Sequence, residues 1–339
     1  MFVDATSGGK PMRLVNRSFV CFVGALSLGL IACGGGDDDD GGTIDPTGTN
    51  NTFVVSALNL PENAAEAMML GLDIDGKAND GVDNQLGMVL GSIGALAPDL
   101  DLQASVDEQV DQGSIILLAN LLAKDLTNAS GVGLWVYLGD NPTPAACTDA
   151  NDMVCRRHLA GGATFSIASG SPTDAKLAGR IVNGKYTGGP GNVTLQIALA
   201  GGTPIDLPLQ RARAEFNSVT AAGWTSGKIG GAISQADINT QVVPAIGDTV
   251  RTSFDETCDV GGTPPNCGCT AGETGETLRG LFDKTPNDCT ITDAEVQAVV
   301  SGFLTSDIDL DGDGTNDALS LGIGVSAVAG TYTPPAPIL

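Results

Sequence analysis

Residues 181–209, IVNGKYTGGPGNVTLQIALAGGTPIDLPL, decide the fold. Asn183-Gly184 suits two successive left-handed backbone positions, which a two-residue type I′ hairpin turn requires. Beyond it, Val193, Leu195, Ile197 and Leu199 alternate with polar or small residues. Gly201-Gly202 marks another turn, and Ile205, Leu207 and Leu209 alternate again. Alternation at period two sends every second side chain to one face of a strand. Upstream, Val132, Leu134, Val136 and Leu138 follow the same rule. The pattern predicts about six to eight strands between residues 113 and 232, apolar on one face and polar on the other, as in a sandwich or a barrel.

Helical spacing flanks this region. Leu86, Val89, Leu90, Ile93 and Leu96 recur at helical intervals after Asp83 and Asn84, which suit a helix cap. Gly87 and Gly91 weaken that helix and suggest close packing. A short helix is expected over Leu102–Val110, another from a Ser234 cap through Thr249, and another over Glu276–Phe282. Val296, Val299, Val300, Phe303 and Leu304 predict a helix leading into the C-terminal acidic loop. Thr292 and Glu295 form a capping-box signature, with Ile291 and Val296 placed as a hydrophobic staple. The TPPAPIL tail reads as extended. The expected fold is α+β: a central antiparallel β-sandwich or barrel-like domain flanked by short helices and acidic calcium-type loops.

The chain has 339 residues, 16 Lys+Arg against 40 Asp+Glu, and a formal net charge of −24. Such a balance argues against a nucleic-acid binder, which needs clustered Lys and Arg for phosphate contacts. Hydrophobic residues make up 42%, enough for a core, but aromatics only 4%, so that core is mostly aliphatic. The single histidine, His158, follows Arg156 and Arg157 and reads as a surface residue. No G-x-S-x-G, phosphate-binding G-x-x-x-x-G-K-[ST] or H-E-x-x-H motif occurs, so the common hydrolase and nucleotide signatures are missing.

At the N-terminus, Lys10, Arg13 and Arg17 precede an apolar run from Phe19 to Ala32. The run is shorter than the ~18 residues of a spanning helix and reads as a secretory signal, with Met12 as an alternative start. Leu30-Ile31-Ala32-Cys33 resembles a bacterial lipobox, which implies that Cys33 becomes a lipid-bearing mature N-terminus and anchors the chain to a membrane. Gly34 after the Cys, where Asp commonly marks inner-membrane retention in such lipoproteins, implies the outer membrane of a Gram-negative envelope. Gly34 to Thr52 has no apolar periodicity and reads as a self-repelling tether. The expected organisation is signal 1–32, tether 33–52, helical segment with an acidic loop 53–112, β-rich domain 113–255, and disulfide-linked helical segment 256–339.

Of the 8 cysteines, Cys21 leaves with the signal and Cys33 carries lipid. Those remaining are Cys147, Cys155, Cys258, Cys267, Cys269 and Cys289, an even number that suits disulfides in an exported chain. Cys147 and Cys155 enclose a short polar loop and are expected to pair. Cys267 and Cys269 are too close to bridge each other, so one takes Cys258 and the other Cys289. Zinc competes for such a cluster.

Two acidic loops carry the clearest chemistry. Asp309-Leu-Asp311-Gly-Asp313-Gly314 places carboxylates at relative positions 1, 3 and 5 with Gly at 6, and Asp317 falls at position 9. This spacing resembles EF-hand and dockerin loops, where carboxylates turn inward on a hard cation. Position 12 is Ser320 rather than a bidentate Glu, which favours a weak extracellular-type site of roughly 10⁻⁴–10⁻³ M. Upstream, Asp307 offers an alternative first ligand. The second loop, with Asp73, Asp75, Asn79, Asp80 and Asp83, repeats the D-x-D-G, N-D and Leu-Gly elements less regularly. It reads as a degenerate copy of the first. A third stretch, from Phe282 to Glu295, resembles an EF-hand only from Asp288 onward, and helix capping explains it as well.

Together the lipobox, the Gly/Asp tether and the D-x-D-G loops resemble uncharacterised lipoproteins of myxobacterial type. That resemblance implies location and calcium, but no chemistry. The expected function is non-enzymatic: a calcium-binding envelope protein that binds an unidentified protein or glycan, or serves a structural role. The alternative is a calcium-dependent envelope hydrolase acting on glycans, since paired carboxylates are abundant.

Overall fold

The computed structural model describes residues 45–339 apart from 78–80, 97–100, 149–151, 153–154, 198–203 and 337–339. Cys33, the lipobox and most of the tether, with Leu199 and the Gly201-Gly202 turn, lie outside the described residues.

The core is a closed eight-stranded antiparallel barrel. Its strands are β1 (Thr49–Asn59), β2 (Leu117–Ala123), β3 (Ala129–Thr143), β5 (Lys176–Val182), β6 (Lys185–Ile197), β7 (Ile205–Asn217), β9 (Ser226–Ser234) and β10 (Ala318–Thr331). Each pairs with the next in that order, and β10 pairs back onto β1 to close the cylinder. Two short strands lie outside this ring: β4 (Ala163–Ile167) against β3 and β10, and β8 (Gly223–Trp224) against β10. The structure is therefore mainly β. A barrel replaces the sandwich alternative, and the α+β description holds only loosely.

The Asn183-Gly184 hairpin forms as expected: both residues have positive φ, 52° and 77°, and Val182 faces Lys185 across the turn. In β10, Leu319, Leu321, Ile323 and Val325 point inward, all 3% exposed or less. Their outward neighbours are Ser320, Gly322 and Gly324. Inside the barrel, Phe216 stacks on Trp224 at 4.2 Å between centroids, and Phe53 meets Trp224 edge-on at 5.2 Å. The buried Tyr186 hydroxyl donates to the Leu177 carbonyl at 2.9 Å, so the aromatic cluster carries a satisfied polar group. Outward positions of β5 to β7 are mostly polar: Arg180, Lys185, Thr187, Asp206 and Gln210 are exposed, beside Val182 and Pro190. A membrane-spanning barrel instead carries an apolar outer band. Among the described residues, no helix is long and apolar enough to cross a membrane.

Two long excursions interrupt the barrel. Between β1 and β2 run α1 (Ala64–Leu70), α2 (Gln85–Leu96) and α3 (Leu102–Gln112). Between β9 and β10 run a single turn α4 (Gln235–Asp237), a π-helical turn Ile238–Val242, α5 (Val243–Asp255), α6 (Thr274–Phe282) and α7 (Asp293–Val300). The Ser234 cap and the Thr292/Glu295 capping box form as expected, and Ile291 and Val296 are both buried. α7 ends at Val300, before Ser301-Gly302, so Phe303 does not join its buried face and is 53% exposed.

Buried Asn84 stitches the first excursion to the barrel. Its Nδ2 donates to the Ala67 and Gly322 carbonyls at 2.9 and 2.8 Å, and its Oδ1 accepts from the Gly322 and Gly87 amides at 2.7 and 3.2 Å. The bond from Gly87 caps α2. A Cβ at Gly322 would lie 2.5 Å from the Leu70 carbonyl oxygen, so only glycine lets α1 approach this closely.

The segments read as helical, 53–112 and 256–339, each also supply a barrel strand, β1 and β10. The register between Val55 and Ala57 is broken by a bulge, which hides the period of β1. β10 does alternate, but its outward positions are Gly and Ser, and its start coincides with the end of the acidic loop.

Candidate metal centre

Each acidic loop is closed by an isolated antiparallel bridge, Leu72 to Asp83 in the first and Ile308 to Ala318 in the second. Inside them the same bonds recur. Asp73 Oδ1 accepts from the Gly76 amide at 2.7 Å, as Asp309 Oδ1 does from Gly312 at 2.7 Å. Asp75 Oδ1 accepts from the Lys77 amide at 2.8 Å, as Asp311 Oδ1 does from Asp313 at 3.0 Å. Gly76 and Gly312 share a left-handed φ, +79° and +80°, so each turn uses the freedom glycine has there. Asp83 accepts from the Ile74 amide at 2.6 Å and Asp317 from the Leu310 amide at 2.9 Å, and both hold the loop's exit against its entry. The repeated structure beneath the irregular sequence spacing is thus real.

Two groups of carboxylates result, Asp73/Asp75/Asp83 and Asp309/Asp311/Asp313. In each, one oxygen from every residue lies within 4.8 Å of the others, so each group could hold a metal ion. Two oxygens on one calcium, each at roughly 2.3–2.6 Å, lie at most about 4.6–5.2 Å apart, which these spacings satisfy. Asp317 falls outside its group, and its carboxylate accepts from the Leu310 amide. Asn79 and Asp80 lie outside the described residues.

Besides length, the two loops differ in charge just after the shared glycine. Where the second has Asp313, the first has Lys77, whose ammonium stands 2.6 Å from Asp75 Oδ2. Burial works to raise Asp75, but the Lys77 bonds and charge, with Arg211, hold its carboxyl below the usual value. Asp83 goes the other way: burial pushes it up, against the amides of Ile74 and Asp75, and the Asp75 and Asp307 charges add to the rise. Amide bonds, led by that from Gly314, pull Asp309 down. Asp307 lies outside both carboxylate groups. It accepts from the Ser320 amide at 2.8 Å and from the Ser320 hydroxyl, and burial raises its carboxyl.

The loops stand side by side. Leu72 and Ile74 of the first pack with Ile308 and Ala318 of the second on Ala232 of β9, with Leu310 at the edge. Arg211 bridges them from a left-handed position in β7, φ 51°, donating to the Asp309 carbonyl at 3.1 Å and the Asp75 carbonyl at 3.4 Å. Sequence reasoning missed Arg211. Its only signal was a cation two residues beyond an alternating run.

The remaining candidates are structural. The disulfides are Cys147–Cys155, Cys258–Cys269 and Cys267–Cys289, which resolves the two pairings left open. Asp283 lies against Cys267 and Cys289, but those sulfurs are bonded to each other and offer no thiolate. Its carboxylate accepts from the Asp288 and Cys289 amides, both at 3.0 Å, fixing the turn that leads into α7. His158 is not on the surface: it is 0% exposed, because the turn Arg157–Leu159 directs it beneath β4 while Arg156 reaches out to Asp111.

Comparison with protein-family models, curated proteins and solved structures gives no match.

Arg211→Ala removes both bonds to the loops while keeping the same backbone strain. It is expected to cost about 1–2 kcal/mol, read as a lower urea midpoint at unchanged slope. Arg211→Lys is expected to recover less than half, since an ammonium cannot span two carbonyls as a planar fork does. A neutral Arg211→Ala would mean the loops hold together without it.

Proposed function

We propose that this chain is an exported, lipid-anchored envelope protein whose paired acidic loops bind calcium, and that the ion serves structure rather than catalysis. One observation carries the reading: two carboxylate groups, each with oxygens within 4.8 Å, lie on loops that share the same D-x-D-G turn and one small apolar core on the barrel wall. Oxygen-only ligands on irregular loops suit calcium, which accepts loose geometry, better than magnesium, which demands a tight octahedron. Without the ion, each loop holds three carboxylates together, and the whole chain is strongly acidic. Bound calcium removes that repulsion and fixes both excursions at their junction with β9 and β10. The rest of the polar barrel wall is then free to meet a protein or glycan.

Thermal melting with EDTA, calcium or magnesium tests the ion. For a site near millimolar, about 10 mM calcium stabilises by about 1.4 kcal/mol per loop, a rise of a few degrees, with magnesium giving less. An Asp311→Ala/Asp313→Ala double variant is expected to lose about half of this gain. No rise in the wild type, or an equal rise in the double variant, would reduce the loops to solvated turns.

Mass spectrometry of the chain expressed in a Gram-negative host tests the anchor. The expected product starts at an acylated Cys33, and Cys33→Ala is expected to accumulate as an uncleaved, unacylated precursor. A lipid-free mature start elsewhere would remove the anchor from this account.

A further inference from the structure

Segment 155–168 lies outside the closed ring of strands and contains the chain's single histidine. Its strand β4 pairs with only three positions of β3 and two of β10, so it can leave without opening the barrel. A few further contacts hold it down. The Gly162 amide donates to the Ala329 carbonyl at 2.8 Å. Arg156 pairs with Asp111 of α3 and donates to the Ser56 carbonyl of β1 at 3.1 Å. The Cys147–Cys155 bridge ties its start to the preceding turn.

His158 is the pin. Its ring is fully buried, meets Phe165 of β4 edge-on at 6.3 Å, and abuts Gly113 at the end of α3. The Val110 backbone of α3 is a polar neighbour of the ring, and neither ring nitrogen meets a side-chain partner among the described residues. The charged groups around it are Arg156 and Arg157 in its own turn and Asp111 on α3, already committed to Arg156, with Asp107 one turn further back. β4 presents Phe165, and the preceding turn presents Ala146. A neutral imidazole packs here as an apolar ring. An imidazolium would be a second buried cation beside Arg156, whose own carboxylate partner, Asp111, is already engaged.

We infer that segment 155–168 is an acid-released strap, held on the barrel wall while His158 is neutral and let go when it takes up a proton. Release would uncover the buried faces of Leu159 and Phe165 while the eight barrel strands stay paired. Burial first, then the Arg156 charge, holds His158 below its ordinary value in the closed state. The sign follows. A group depressed on closing contributes stability that is complete above the open-state value of about 6.5 and is lost as pH falls below it. One proton is taken up on opening, so the open population rises up to about tenfold per pH unit in that window.

Hydrogen exchange of the full chain, in saturating calcium and corrected for intrinsic rates, tests this directly. Between about pH 7 and about pH 5, the amides of Leu159, Gly162 and Ala168 are expected to lose protection at least ~tenfold, while those of Leu321 and Ile233 in the barrel hold. His158→Gln, neutral at every pH, is expected to abolish that difference. The imidazole proton resonance gives a second measurement that needs no variant, and it is expected to titrate below 6.5 in the native chain. A native midpoint at or above 6.5, pH-independent protection, or an undiminished acid response in His158→Gln would each overturn the inference. If His158→Gln does not fold, the native titration and wild-type exchange decide.

Discussion

The antiparallel ladder between the first and last strands, from Phe53 opposite Ala329 to Asn59 opposite Gly324, closes the barrel, and the rest of the structure follows from it. A closed ring leaves no unpaired strand edge, which matters for a sheet whose inner face is so apolar. Closure also fixes where the two excursions leave and return. The first leaves from β1 and the second returns into β10, so the acidic loops they carry arrive on the same stretch of wall. There Gly322 and Gly324 leave room for α1, Asn84 satisfies backbone groups from α1, α2 and β10, and Ala232 offers a shallow seat for Leu72, Ile74 and Ile308. The joint between the loops is thus a consequence of barrel closure.

Crowding negative charge at that joint has a cost that the fold meets in several ways. Amides from each loop's own backbone point at the carboxylates, Lys77 supplies a tethered cation to the first group, and Arg211 spans the carbonyls of both. Asp83 and Asp307 remain raised, as expected for acids that are partly buried and face other acids. The cation chemistry of the two loops is therefore unequal: the second presents Asp313 where the first has Lys77.

Much of the barrel could be read from the chain because its strands obey simple rules. Asn183-Gly184 could serve as a type I′ turn, and Val193 to Ile197 and Ile205 to Leu209 alternate cleanly. The closing strands were harder. β1 is bulged at Val55 and begins inside a polar Thr/Asn stretch. β10 alternates from Leu319 to Val325, but Gly322 and Gly324 look like loop residues until α1 is seen resting on them. Of the site, the D-x-D-G cores were legible because their bonds are local. That Asp317 bonds the Leu310 amide and stands apart from the other three acids depends on how the loop closes, which spacing does not show. Arg211 was invisible because its role comes from tertiary proximity alone. His158 was misplaced because its two arginine neighbours suggested solvent, whereas a left-handed turn at Arg156 directs the ring inward.

The central claim is that two structurally matched loops, seated on one small core, each hold a calcium ion. Counting ions at saturation by equilibrium dialysis and elemental analysis tests it most directly. The account predicts two calcium ions per wild-type chain, one for an Asp73→Ala/Asp75→Ala variant and one for an Asp311→Ala/Asp313→Ala variant, matching the two carboxylate groups. A wild-type chain that retains none, or variants that retain as many as the wild type, would contradict it.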